Sequence, residues 1–274
     1  MKYKDLFKYS KDNNKNKDFE ESAIYFLIEE VNQLKRHDII LKMNDDLDNE
    51  NVLIELVDKY IKDNIPVQYL LNCAYFYGNK FYVDNNVLIP RFDTEILVEK
   101  AISLIKQNNK KLRIVDIGTG SGIIAITLKL NCENVIVDAI DISACAIEVA
   151  KKNAKNMNVD INFINNDLLE GIDEKYDIII SNPPYIEIGE YVEDIVKNNE
   201  PSIALYSDDK GLYHYKKIID ASLNNLKEDG ILLFEIPDNK CDALIAYASK
   251  YYNSCEYFRD FNNQRRVLLI KNKE

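Results

Sequence analysis

Apolar residues recur at helical spacing at Ala23, Phe26, Leu27, Val31 and Leu34, and again after an acidic break at Val52, Leu53, Leu56, Val57 and Ile61. One-sided patterns of this kind mark helices that bury a single face, so residues 1–72 are expected to form a small helical domain. The polar stretch Lys11–Lys17 near its start reads as a frayed terminus or exposed loop. Pro66 closes the helical pattern, and Ala74–Tyr77 with Lys80–Val83 read as a hairpin with a two-residue turn beginning at Gly78. The segment 73–92 is then a linker, and Asp93 or Thr94 is placed to cap a helix with the apolar face Ile96, Leu97, Ala101, Leu104 and Ile105.

From residue 112 the rhythm changes to short apolar runs: Leu112–Ile117, Val135–Ile140, Ile161–Ile164, Tyr176–Ser181, Ile231–Ile236 and Arg266–Ile270. Helical patterns separate several of them, at about 121–131, 143–156, 212–227 and 239–252. Such alternation predicts a doubly wound α/β domain over 93–274, with a mostly parallel sheet and crossover helices.

Composition narrows the chemistry. The 274 residues carry 35 Lys and Arg against 46 Asp and Glu, a formal charge of −11. That balance disfavours a phosphate backbone as partner, because such binding needs clustered cations, and no direct nucleic-acid contact is expected. The five cysteines form no Cys-x-x-Cys pair and only His37 and His214 accompany them, so no metal site is expected. No apolar run approaches the roughly 18 to 20 residues that cross a bilayer, and the charged start Met1-Lys2-Tyr3-Lys4-Asp5 lacks a signal-peptide core. A cytoplasmic protein without membrane contact is expected.

Two loops carry the candidate chemistry. Asp116-Ile117-Gly118-Thr119-Gly120-Ser121-Gly122 puts a glycine-rich turn between the first buried strand and a helix, where the backbone can approach a ligand and the helix offers free N–H groups. Asp141, ending the next strand, is placed to accept hydrogen bonds from ribose hydroxyls. A dinucleotide fingerprint needs Gly-x-Gly-x-x-Gly, but here Ile123 occupies the last position and the third glycine comes one residue early. The spacing instead resembles that of class I methyltransferases, which implies a seven-stranded sheet and S-adenosylmethionine as cofactor. Asp167 and Leu168, after the third strand, are candidates for the adenine amino group and ring.

In the second loop, Tyr176–Ser181 ends abruptly in Asn182-Pro183-Pro184-Tyr185. Two prolines fix successive φ angles, so an amide side chain, a backbone carbonyl and an aromatic ring are held in one rigid turn. An amide or exocyclic amine is a poor nucleophile because its lone pair is delocalised. The Asn182 and Pro183 carbonyls can hold both of its hydrogens and aim the lone pair, while Tyr185 packs on the planar group. Catalytic candidates are therefore Asn182, Pro183 and Tyr185; substrate-binding candidates are Asn182, Pro183, Pro184 and Tyr185.

This motif gives the reaction but leaves open adenine N6, guanine N2 or a glutamine side chain. Ile89-Pro90-Arg91-Phe92-Asp93-Thr94-Glu95, with Gln68-Tyr69, Phe76-Tyr77-Gly78 and Asn199-Glu200-Pro201, resembles the release factor glutamine methyltransferases. The resemblance covers most of the chain. It implies methylation of the Gly-Gly-Gln glutamine of class 1 peptide chain release factors, gripped by the helical domain and the catalytic domain together; a monomer is expected. It also assigns Gly118, Thr119, Gly120, Ser121, Gly122, Asp141, Leu168 and Asn182 to the cofactor, beside the Asp167 candidate above, and Arg91, Thr94 and Glu95 to the pocket mouth. The chain departs from that family where Asp-Gly-Leu becomes Lys210-Gly211-Leu212 and Glu-Ile-Gly becomes Glu235-Ile236-Pro237. The rival readings are a nucleic-acid N-methyltransferase using the same turn, and a non-catalytic binding module that keeps the pocket for stability.

Overall fold

The computed structural model describes residues 1–272 and divides into two compact units, Met1–Cys73 with Tyr191–Glu200, and Ala74–Glu190 with Pro201 onward. The first unit contains α1 (Tyr3–Asp12), α2 (Glu21–Asn32), α3 (Arg36–Leu41), α4 (Glu50–Lys62) and α5 (Val67–Leu71). Ala23, Leu27, Leu53, Val57 and Ile61 of the predicted faces lie in its core, joined by Ile28, which the pattern does not include, while Val52 is exposed. The chain's start is helical, α1 burying Tyr3, Leu6 and Phe7 and running to Asp12, and the polar stretch that follows is the expected loop, with Asn13, Lys15 and Lys17 exposed. Asn16, expected to be exposed, is buried and donates from Nδ2 to the Tyr60 carbonyl at 3.3 Å. The helix Asp194–Asn199 joins this unit, with the Ile195 N–H donating to Asp18 at 2.9 Å and Asn199 donating to the Asn64 carbonyl at 2.8 Å.

The second unit opens with the hairpin β1 (Ala74–Phe76) and β2 (Asn79–Phe81). Its turn is Tyr77-Gly78, one residue earlier than expected, because Phe76 pairs with Asn79. Both turn residues have positive φ, 49° and 75°, the two-residue geometry that matches strand twist. After α6 (Asp93–Lys106) come β3 (Leu112–Ile117), α7 (Ile123–Asn131), β4 (Val135–Asp141), α8 (Ala144–Asn156), β5 (Asn162–Asn165), β6 (Tyr176–Ser181), β7 (Leu226–Glu235), β8 (Ser254–Arg259) and β9 (Arg265–Lys271). The sheet runs β5-β4-β3-β6-β7-β9-β8, parallel from β5 to β7 and antiparallel at β9 and β8. Side chains alternate between its faces: Ile114, Ile178 and Ile180 join one core cluster, Val115, Ile117 and Ile179 the other.

β8 had no counterpart among the predicted runs. It is an edge strand whose side chains are all half-buried or exposed, so it lacks the continuous apolar signature of the central strands. The helices also begin later than their apolar patterns. α7 starts at Ile123 because Gly122 has φ +82°, and a helix spans Tyr213–Asn225 after a turn in which Asp209 and Lys210 are left-handed. The last predicted helix shrinks to Cys241–Ala248 behind a short 3-10 turn at Asp238–Lys240.

Candidate active site

Strands β3 and β6 are neighbours, and the chain proceeds from them in opposite directions across the sheet. Crevices at such a switch point, outside the carboxyl ends of parallel strands, are where open α/β sheets bind ligands. Here Ile117 pairs with Ser181, whose hydroxyl donates to the Ile117 carbonyl at 2.6 Å, so the glycine loop and the Asn-Pro-Pro-Tyr turn leave the sheet side by side. Gly118, Gly120, Asp141, Leu168, Asn182 and Pro184 line one cleft there.

Within the loop the roles divide. Gly118 and Gly120 face the cleft at φ +71° and +56°, with open space where a Cβ would stand. The Thr119 and Ser121 side chains are buried away from it, Thr119 donating to Asp116 at 2.6 Å. Gly122 serves packing: a Cβ would come within 3.0 Å of Ile126 and 3.1 Å of Ala150. Asn153 of α8, unmarked in the sequence, ties the loop to the residue after the hairpin, donating to the Ser121 and Tyr82 carbonyls at 2.9 Å and accepting from the Tyr82 N–H at 2.7 Å.

Asp141 accepts from the Gly120 N–H and the Ser143 N–H, each at 2.9 Å. Burial raises its pKa, opposed by those two amides. Asp167 is exposed and Leu168 is half-buried at φ +48°, and both line the cleft. So does His214, another residue that sequence reasoning passed over; burial lowers its pKa, and Nδ1 lies 2.8 Å from the Ser207 hydroxyl.

Asp116, beneath the loop, is fully buried, and its Oδ2 accepts from Thr119 and from the Ala125 N–H at 3.3 Å while Oδ1 has no partner. Burial pushes its pKa up to about 7. Between its unfolded and folded values the native state holds a proton that the unfolded chain has lost. Its contribution to stability therefore falls as pH rises toward 7 and is level above that. Asp116→Asn should accordingly be most stabilised relative to the parent above pH 7, with a ceiling of about 4 kcal/mol, and the difference should shrink by about pH 5. Thermal denaturation of both proteins at the two pH values measures this; a difference independent of pH contradicts it.

At the turn, Asn182 is half-buried and Pro183 buried. The Asn182 Nδ2 donates to the Thr94 Oγ1 at 3.2 Å. Among the described residues, neither the Asn182 Oδ1 nor the Pro183 carbonyl accepts a hydrogen bond. The Tyr185 ring packs against the core on one face of the sheet, and burial raises its pKa to about 12, so it stays neutral. Its carbonyl accepts from the buried Lys240 Nζ at 2.5 Å, and the same ammonium donates to the Lys210 carbonyl at 3.0 Å.

The entry segment departs from expectation. α6 has no side-chain cap: Asp93 pairs with Arg266 at 3.3 Å, and the Thr94 hydroxyl is buried behind Asn182. Glu95 accepts from the Tyr77 N–H at 2.7 Å and so fastens the hairpin to α6.

Residues 93–200 match the family described as methyltransferase small domain. A release factor glutamine methyltransferase of Flavobacterium psychrophilum is 44% identical over 260 residues, covering 91% of each chain. One of Lactococcus lactis is 40% identical over 229 residues, covering 82% of this chain and 84% of its own. Among solved structures, a Thermus thermophilus 16S rRNA N2 G1207 methyltransferase superposes with a TM-score of 0.55 at 13% identity, over 73% of this chain and 50% of that one, a likeness of fold alone. With that identity sustained across both units, this chain belongs to the release factor glutamine methyltransferase family.

Proposed function

We infer that this protein transfers the methyl group of S-adenosylmethionine to the side-chain amide nitrogen, N5, of the glutamine in the Gly-Gly-Gln motif of class 1 peptide chain release factors. The observation that carries the reading is the Asn182 amide, which lines the cleft with its Nδ2 held by Thr94 and its carbonyl unclaimed, next to the Pro183 carbonyl in the same rigid turn. A primary amide has two N–H donors, and two fixed acceptors match them. Held so, the amide turns its nitrogen lone pair out of conjugation and toward the methyl donor. The partial negative charge of both oxygens stabilises the positive charge that develops on nitrogen, so no strong base is needed.

The cleft fits the cofactor through its own groups. Gly118 and Gly120 leave room for close backbone approach, Asp141 stands where ribose hydroxyls are read, and Leu168 offers an apolar surface to the base beside Asp167. When bound, S-adenosylmethionine supplies an electrophilic methyl group. The helical unit is assigned to recognition of the release factor, and the enzyme to the cytoplasm, as a monomer. No helix among the described residues is long and apolar enough to cross a membrane.

Labelled S-adenosylmethionine incubated with a release factor, followed by mass mapping, is expected to place one methyl group on the Gly-Gly-Gln glutamine. Transfer to RNA and none to the factor overturns the reading. Asp141→Ala should weaken cofactor binding about 10- to 100-fold, since charge-assisted hydrogen bonds contribute about 1.5 to 3 kcal/mol each. Calorimetry reads this directly, and an unchanged affinity removes Asp141 from the site.

A further inference from the structure

Behind Asn182 lies a second polar residue that the proposed chemistry does not use. Glu235 ends β7, and the residue before it pairs with Ser181, so its side chain is rooted one strand away from the Asn-Pro-Pro-Tyr turn. It is only 2% exposed, its Oε2 has no partner, and the Thr94 side chain lies close enough to its carboxylate to oppose the rise in its pKa. Thr94 in turn accepts from the Asn182 Nδ2. The three groups are placed to act as one directional chain. An ionised carboxylate can only accept, so the Thr94 hydroxyl must point its hydrogen at Glu235 and offer a lone pair to Asn182. The Asn182 amide is then obliged to present its NH2 to Thr94 and its oxygen to the cleft.

We propose that Glu235 is a positioning residue for methyl transfer, holding the Asn182 amide through the Thr94 hydroxyl in the one orientation whose oxygen faces the substrate. This rests on the proposed function above. A flipped Asn182 would present its own NH2 to the substrate NH2, which offers only N–H donors, and the two would repel. Asp93 and Arg91 at the start of α6, Arg266 on β9, Tyr185 after β6 and Tyr215, whose hydroxyl donates to the Glu235 backbone carbonyl at 2.8 Å, surround the carboxylate. Burial pushes its pKa up to about 7, with Asp93 raising it further and the two arginines and Thr94 opposing. The ionised, orienting form is present above that pH and is lost as pH falls through it.

The test compares the parent with Glu235→Gln, Thr94→Val and Thr94→Ser at saturating cofactor and release factor. Glu235→Gln and Thr94→Val should each lose about tenfold in kcat, the equivalent of one net hydrogen bond, with KM and cofactor affinity within about twofold. Thr94→Ser, which keeps the hydroxyl, should restore most of the rate. The parent's kcat should fall below about pH 7, and this limb should be missing in Glu235→Gln. Without substrate, the Asn182 side-chain NH2 resonances should titrate near the same pH in the parent and not in Glu235→Gln. A Glu235→Gln protein with the parent's kcat and pH profile overturns the proposal, as do Asn182 resonances that do not titrate in the parent. A parent that shows the titration yet fails to methylate the factor leaves Glu235's role standing and overturns the substrate assignment instead.

Discussion

Asn182→Ala is expected to lower the single-turnover rate at saturating cofactor by about 100- to 1,000-fold, the usual cost of deleting one oriented polar contact in a transition state. The substrate amide would keep only the Pro183 carbonyl, and its lone pair could rotate away from the methyl group. Cofactor affinity should change far less, because Gly118, Gly120 and Asp141 are rooted in β3, β4 and their loop. Asn182→Asp is the sharper variant. It keeps an acceptor toward the cleft but loses the donor to Thr94 and adds charge, so measurable activity should survive where alanine leaves almost none. Equal rates for Asn182→Ala and the parent would falsify the mechanism.

Gly211→Ala should be the most damaging single methyl group in the catalytic unit. Gly211 has φ +78°, and a Cβ there would overlap the Tyr185 carbonyl and the Lys240 Nζ that binds it. Left-handed strain and overpacking together cost about 2 to 4 kcal/mol, and for a domain of this size the melting temperature should fall by roughly 5 to 15 °C. The turn from Asn182 to Tyr185 would be displaced with it, so kcat should fall even where the protein remains folded. Lys240→Met separates the two causes, keeping the buried stem while removing the ammonium from the Tyr185 and Lys210 carbonyls. A Gly211→Ala protein with the parent's melting temperature and kcat contradicts this account. The same contacts explain why the departure at Lys210 is tolerated. Its carbonyl accepts from Lys240, a role that any residue able to adopt φ +57° can fill, whereas Gly211 beside it has no room for a side chain.

What the sequence by itself determined is the part of the site that depends on local backbone chemistry. Glycines at 118, 120 and 122 announce positive φ, two prolines after Asn182 announce a rigid strand end, and Asp141 ends an apolar run; each can be read within a few residues. The central strands β3, β4, β6 and β7 were legible for a similar reason, since burial on both faces leaves continuous apolar runs. The edge strand β8 carries no such local signal, and only its pairing with β9 reveals it. Tertiary structure also decided the meaning of residues whose type fits several roles. A threonine opening a helix can be a cap or a buried hydrogen-bond partner, and only the approach of Asn182 makes Thr94 the latter. Glu235, Lys240, Asn153 and Gly211 act through partners far away in the chain, and a lone carboxylate, ammonium, amide or glycine does not name its partner. That choice is made when the sheet sets β6 between β3 and β7, bringing the strand ends, and the groups behind them, within hydrogen-bonding distance.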